Sequence, residues 1–219
     1  MKIFYQSLFF ILITSFTVYS QSEDIYQIKY DIEYLASDDL EGRFPGTNGE
    51  DLAADFIADK FNEYGLSKIG NSYFQNFSFT LPSSPHEDVK FNQEDNNKIE
   101  AKNVVGLIDN KKKTTIIIGA HYDHIGYDQG EVCNGADDDG SGTVSLMSIA
   151  NAFQTAYNEG HKPERNIVFL MVSGEEKGLF GSQFYSENPV FKLEKTITNF
   201  ISKQKLPVHV GITGPLKIS

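Results

Sequence analysis

One cysteine, Cys133, stands in the whole 219-residue chain. An intramolecular disulfide is therefore excluded, and stability has to come from packing or from metal. Positive charge is scarce: 19 Lys and Arg face 30 Asp and Glu, for a formal charge of -11. Such a surface repels phosphate backbones and speaks against nucleic acid as a partner. No apolar run reaches the roughly 20 residues that a comfortable membrane span needs. Internal repeats and long low-complexity tracts are missing as well. What remains is 40% hydrophobic, 13% aromatic and 22% charged, a balance that builds a core and argues against global disorder.

Several catalytic signatures are absent too. In a single-zinc HExxH helix, His86-Glu87 would need a second histidine where Lys90 stands. A GxSxG elbow is not found. An EF-hand read through Asp137-Asp138-Asp139-Gly140 would start on Gly135 and end on Leu146, where Asp and Glu are required. Gly140-Ser141-Gly142 runs on to Ser145, so a dinucleotide loop fails at its third glycine.

The N-terminus carries an address. Lys2 precedes the apolar run Phe9 to Tyr19, and Val18-Tyr19-Ser20 ends on a small residue. This three-part pattern predicts a cleaved secretory signal over residues 1–20 and a secreted or periplasmic protein. An uncleaved anchor is the alternative. No cysteine lies near the expected cleavage point, which disfavours a lipid anchor.

Periodicity sketches the elements. Ile25 to Leu35 reads as a helix, and Glu50 to Tyr64 as another, capped by Thr47 or Asn48 and closed by Gly65. In the second, Leu52, Phe56, Ile57 and Phe61 recur near helical spacing. Tyr73 to Leu81 alternates like a strand. Asn103 to Ile108 and Thr114 to Ala120 are apolar runs that suggest a buried hairpin around a Lys-rich turn. Leu146, Ile149, Ala150 and Phe153 mark a helix face, Asn166 to Val172 a buried strand, and Leu179 to Ser186 the start of a helix. Strands alternating with helices predict an α/β sandwich.

The chemistry gathers where these strands end. Thr114 to Ala120 runs into His121-Tyr122-Asp123-His124, and Asn166 to Val172 runs into Ser173-Gly174-Glu175-Glu176. Ligands of open α/β sheets bind beyond the carboxyl ends of strands. Between the two lies a glycine-flanked loop with Asp137, Asp138 and Asp139, three carboxylates whose mutual repulsion a cation would offset. Taken alone, that loop is as readily a solvated acidic turn that caps the following helix. Histidine with carboxylates fits zinc better than calcium. Of the adjacent Glu175 and Glu176, one can bind metal while the other takes a proton from an activated water. Asp138, in the middle of its loop, suits a carboxylate shared by two metals.

Five blocks in order carry a family resemblance: YLASDDLEGRFPGTNGEDLAADFIADKF, KNVVGLI, IIIGAHYDHIG, NGADDDGSG and RNIVFLMVSGEEKGLFGSQFY. They resemble the co-catalytic di-zinc exopeptidases, a group that includes secreted bacterial leucyl aminopeptidases, plasma glutamate carboxypeptidase and glutaminyl cyclase. The resemblance implies a three-layer sandwich with a mixed central sheet and helices on both faces. It implies two zinc ions, with His121, Asp138 and Glu176 as metal ligands and Glu175 as general base. It assigns Asp123 to orienting His121, and a cis peptide to Asp138-Asp139. His124 matches no metal position of the motif and is expected at the pocket rim. Gly42, Arg43 and Pro45 belong to the EGRFPGT block, which by resemblance packs close to the site; Gly42, Pro45 and Gly46 are expected to fix a turn there rather than to take part in catalysis.

The blocks cover most of Tyr34 to Pro189, and the sequence departs from the family after about Thr198, where the family would continue into a strand with a third acidic ligand and, further on, a histidine. No Asp or Glu follows Glu194, and His209 sits in the unmatched context LPVHVGI. The expected organisation is a signal over 1–20, a catalytic domain over 21–198 that is incomplete at its C-terminus, and a divergent tail over 199–219. Hydrolysis of N-terminal residues from peptide substrates is the expected reaction, and a chain short of ligands should perform it poorly or not at all. A carboxypeptidase or a glutaminyl cyclase on the same scaffold is the alternative, as is a non-catalytic remnant. No stable membrane association is expected once the signal is cleaved.

Overall fold

The structure is a computed structural model that describes residues 25–81 and 89–201, with side chains through residue 197. The signal expected over 1–20 lies outside the described residues, as does the tail beyond residue 201. Residues 25–35 form a first helix, α1. A turn at Asp38–Arg43 leads to α2 over Asn48–Tyr64. Thr47 starts α2 by accepting from the Glu50 N–H, which satisfies one of the donors a helix N-terminus leaves unpaired. Gly65 closes it in the left-handed conformation at φ 85.

The face α2 buries is Ala53, Ala54, Ile57, Ala58 and Phe61, while Leu52 stays 37% exposed. Small side chains bring the helix close to the sheet, and the predicted stripe was rotated by its larger residues. In α3, Ser141–Asn158, the correction has the same cause: Leu146, Met147 and Ala150 are buried, whereas Ile149 and Phe153 are each 40% exposed. A short helix, α4, covers Phe180–Glu187.

The strands are β1 (Phe74–Phe79), β2 (Ile99–Ile108), β3 (Thr115–His121), β6 (Asn166–Val172) and β7 (Thr196–Ile201), with β4 (Gly126–Asp128) and β5 (Glu131–Cys133) forming a separate small hairpin. The described main sheet runs in the order β1-β2-β6-β3-β7. It is mixed: β1, β2 and β6 pair antiparallel, and β3 pairs parallel with both β6 and β7.

The predicted hairpin of β2 with β3 is therefore wrong, because β6 lies between them. All seven residues of β6 are buried. A strand apolar on both faces is most stable where both faces are covered, in mid-sheet. Ile167, Phe169 and Met171 point into the core shared with α1, α2 and α3, and Val168, Leu170 and Val172 into the opposite core with Tyr185 of α4. Helices thus cover both faces, as expected. The expected domain boundary after residue 198 falls inside β7.

For function, the register of β3 on β6 matters most. His121 pairs with Val172, so the His121–His124 and Ser173–Glu176 segments leave the sheet side by side. The Tyr122 N–H extends the ladder by donating to the Val172 carbonyl at 3.1 Å.

Candidate metal centre

His121 is 3% exposed and anchored from several directions. Its carbonyl accepts from the Thr143 hydroxyl of α3 at 2.8 Å. Its ring Nδ1 lies 3.2 Å from the Asp123 carbonyl oxygen and 3.7 Å from the Asp123 carboxylate. Nε2 is thereby turned toward Asp138, whose Oδ1 is 3.2 Å away. Burial alone would push the imidazole down, but hydrogen bonding and charge from Asp123, with Asp139 and Glu175 behind it, raise it to about 9.

Asp123 is fully buried and reaches both strand ends. Its two carboxylate oxygens accept from the backbone N–H groups of Glu175 at 3.2 Å and Glu176 at 3.4 Å. A single carboxylate thus fixes the histidine on one strand end and the turn that carries both glutamates on the other. Asn103 of β2 supports the same turn, accepting from the Ser173 N–H at 3.3 Å and donating to the Gly181 carbonyl at 2.9 Å.

The acidic loop is irregular, with a cis peptide at Asp138-Asp139. Asp138 keeps 46% of its side chain exposed, while its neighbour Asp139 turns inward and is fully buried. Burial pushes the Asp139 carboxyl up to about 7 against the pull of His121, and the Asp138 charge adds to the rise. Asp139 in turn accepts from the His121 N–H at 3.3 Å. A Cβ on Gly142 would run into the Asp139 carboxylate, so a side chain at that position would force Asp139 to move.

Arg43 was expected only as part of the block packed near the site; what it holds there was missed. Its guanidinium is completely buried and donates only to main-chain carbonyls. Nε reaches Tyr122 at 2.7 Å, one terminal nitrogen reaches Asn134 at 2.7 Å and also Leu35, and the other reaches Gly135 at 2.9 Å. The planar fork ties α1, the β3 end and the start of the acidic loop to one point. Burial lowers its pKa to about 10, against the attraction of Asp123, Asp139 and Asp138. Glu50 and Tyr122 were missed as well. Both are buried, and the Tyr122 hydroxyl lies 2.9 Å from Glu50 Oε1 and 2.6 Å from the Lys102 carbonyl oxygen. The only available signal was the charged EGR and GED positions inside an otherwise turn-like block.

His121, Asp138 and Asp123 stand together, with Glu175 and Glu176 on the adjacent turn. His124, expected at the pocket rim, stands beside Glu176. Its Nδ1 lies 2.8 Å from Glu176 Oε1, and ligand atoms of His124, Asp138 and Glu176 all lie within 4.8 Å of one another. The motif gave His124 no role because it counts positions along the chain, whereas the turn after Asp123 carries the ring back toward Glu176. Imidazoles with carboxylates are donors that suit zinc, so the residues present fit the metal that the resemblance implies.

Residues 103–202 match a family model described as Peptidase family M28. Among similar proteins, a vacuolar membrane protease of Lodderomyces elongisporus is 32% identical over 161 residues, covering 70% of this chain and 15% of that protein. One from Verticillium alfalfae is 37% identical over 89 residues, covering 40% of this chain and 8% of that protein. The chain thus spans only a small part of the curated relatives it matches.

Among solved structures, a leucine aminopeptidase precursor from Bacteroides thetaiotaomicron aligns with TM-score 0.58 at 18% identity, over 80% of this chain and 60% of that one. A glutaminyl cyclase of the same organism, bound to N-acetylhistamine, gives 0.59 at 18%, over 80% and 59%. A Zn-dependent exopeptidase from Parabacteroides distasonis gives the same four values. These likenesses establish the α/β fold.

The relatives also correct the compartment. The expected secreted or periplasmic location is overturned by matches to proteins named for the vacuolar membrane. An apolar N-terminal run directs a chain to a membrane without saying which one. Among the described residues, no helix is long and apolar enough to cross a membrane.

Proposed function

We propose, from the match of residues 103–202 to the Peptidase family M28 model, that the protein is a zinc-dependent metallo-exopeptidase that removes N-terminal residues from peptides. One observation carries the reading: His121 Nε2 lies 3.2 Å from Asp138 Oδ1 at the sheet edge where Glu175 and Glu176 emerge. In this reading His121, Asp138 and Glu176 would hold the zinc, with two ions expected. Zinc there would acidify a water to a pKa of about 7 and polarise the scissile carbonyl.

The chain's own groups do the rest. Glu175 takes the proton of the attacking water and returns it to the leaving amine. Asp123 fixes Glu175 through the backbone N–H it accepts at 3.2 Å, so the base stands at a set distance from the reacting centre. It also keeps the Nδ1 edge of His121 occupied, which leaves Nε2 free to face the metal. The Asp138 side chain stays half-exposed, so the site is open to solvent there.

Hydrolysis of an aminoacyl chromogenic substrate by the purified 219-residue polypeptide tests this. Slow turnover that depends on added zinc and disappears in Glu175→Gln supports the reading. Turnover indifferent to both chelator and Glu175→Gln would sink it. A glutaminyl cyclase remains the second reading, because one ligand trio gathers around a single point among the described residues. Ammonia release from peptides with N-terminal glutamine, without peptide-bond cleavage, would favour it.

A further inference from the structure

We infer that His124 is a metal ligand, and that with Asp138 and Glu176 it completes one metal position within this chain. The inference rests on the metallo-exopeptidase reading above and adds a donor that the family motif does not contain. The geometry argues for it from three sides. The ring approaches Glu176, with Nδ1 2.8 Å from Oε1. The same ring shares with Asp138 and Glu176 a volume in which all three ligand atoms lie within 4.8 Å of one another. Its backbone is fixed as well, since the His124 N–H donates to the Arg43 carbonyl at 3.2 Å.

The loop that carries Asp138 is shaped to receive the ring. Gly135 adopts φ +55, and a Cβ there would lie 2.7 Å from both Cγ and Cδ2 of His124. A side chain at position 135 would crowd the Asp138 carbonyl as well as the imidazole, the two groups that the bare loop lets approach. The His124 and Glu176 side chains are 13% and 20% exposed, so both are largely withdrawn from water yet reachable by an ion. A histidine that merely lined the rim would need neither the fixed backbone nor the cleared space.

Three protein donors with one open position is the ligand count of a catalytic zinc site. His124, Asp138 and Glu176 supply three. His121, 3.2 Å from Asp138, serves the neighbouring position through the shared carboxylate. Among the described residues, the position built on His124 is the better furnished.

The test measures metal directly. The purified chain and its variants are dialysed against buffered free zinc, bound zinc is counted, and X-ray absorption counts the imidazoles around it. His124→Gln should weaken binding at the Glu176 position at least about tenfold, the loss seen even for partners one layer further from a metal. It should also remove one imidazole from the zinc environment. In His124→Cys loaded with cobalt(II), a thiolate-to-cobalt absorption should appear that the wild-type chain lacks, which also shows that the variant is folded around the site. Unchanged zinc affinity in His124→Gln and no thiolate band in His124→Cys, alongside weakened binding in Asp138→Asn, would overturn the inference and leave the peptidase reading standing. If the wild-type chain binds no zinc at all, both fall together.

Discussion

The strand ends and the acidic loop supply the same centre by different means. His121 and Asp123 are 3% and 0% exposed, whereas the Asp138 side chain is 46% exposed. The strand ends inherit their positions from the sheet: β3 and β6 pair through His121↔Val172, and Asp123 spans the gap by accepting from both glutamate N–H groups. The loop has no ladder. It is placed by the Arg43 contacts to Asn134 and Gly135 and by the inward turn of Asp139. One side of the site is thus rigid by secondary structure, and the other is rigid only as far as buried polar contacts hold it.

That contrast can be broken most severely at Arg43. Arg43→Ala removes every contact of the buried fork: the carbonyls of Leu35, Tyr122 and Asn134 lose the donor it supplied, and Gly135 keeps the Gly140 N–H at 3.1 Å. The expected cost is about 3–5 kcal/mol of unfolding free energy in urea denaturation. Arg43→Lys should recover little, because an ammonium cannot serve so many separated carbonyls in one plane. A loss below about 1 kcal/mol would mean that the loop is held by something other than Arg43.

A smaller break touches only the loop. In Gly142→Ala the new Cβ would meet Asp139 Oδ1 at 2.0 Å, so the carboxylate must shift. Overpacking of this kind costs about 1–3 kcal/mol. Thermal unfolding should show that loss, and zinc binding should weaken more than the stability loss alone explains, because Asp138 moves with Asp139.

The rigid side should yield less. Thr143→Val deletes the hydroxyl that donates to the His121 carbonyl at 2.8 Å but keeps the shape of the side chain. About 1 kcal/mol is expected, with zinc affinity nearly unchanged, since the sheet still holds His121. Equal damage to binding from Thr143→Val and Gly142→Ala would erase the proposed difference between the two sides.

The mildest effect is a pH slope. Burial raises the Glu50 carboxyl above its ordinary value of 4.5, and the nearby Asp123 charge adds to the rise. The folded state therefore holds its proton more tightly than the unfolded chain. The stability this contributes is complete below about 4.5 and is lost as pH rises through the folded-state pKa. Glu50→Gln cannot titrate, so the stability difference between wild type and variant should move against the wild type as pH rises from 4.5. A flat difference in denaturation experiments would place the Glu50 proton elsewhere.

Much of this was readable in the residues themselves. The β6 run NIVFLMV is apolar at every position but its first, and such a segment has to be buried on both faces. Thr47 and Gly65 mark the ends of α2 because capping chemistry is local. The ligand-type residues at the ends of β3 and β6, and the acidic loop between them, follow from spacing along the chain. Local rules and short-range order determined these features, so the sequence alone was enough for them. Tertiary structure decided the rest. That β6 separates β2 from β3 depends on which edges each strand can cover, and no window of the sequence contains that competition. Arg43 lies 79 residues from Tyr122 and 92 from Gly135 in sequence, and its role exists only once those carbonyls meet in space. His124 lies 52 residues from Glu176 and comes to 2.8 Å for the same reason: a turn's path, and the side chain that Gly135 lacks, carry the ring to a place that linear spacing does not encode.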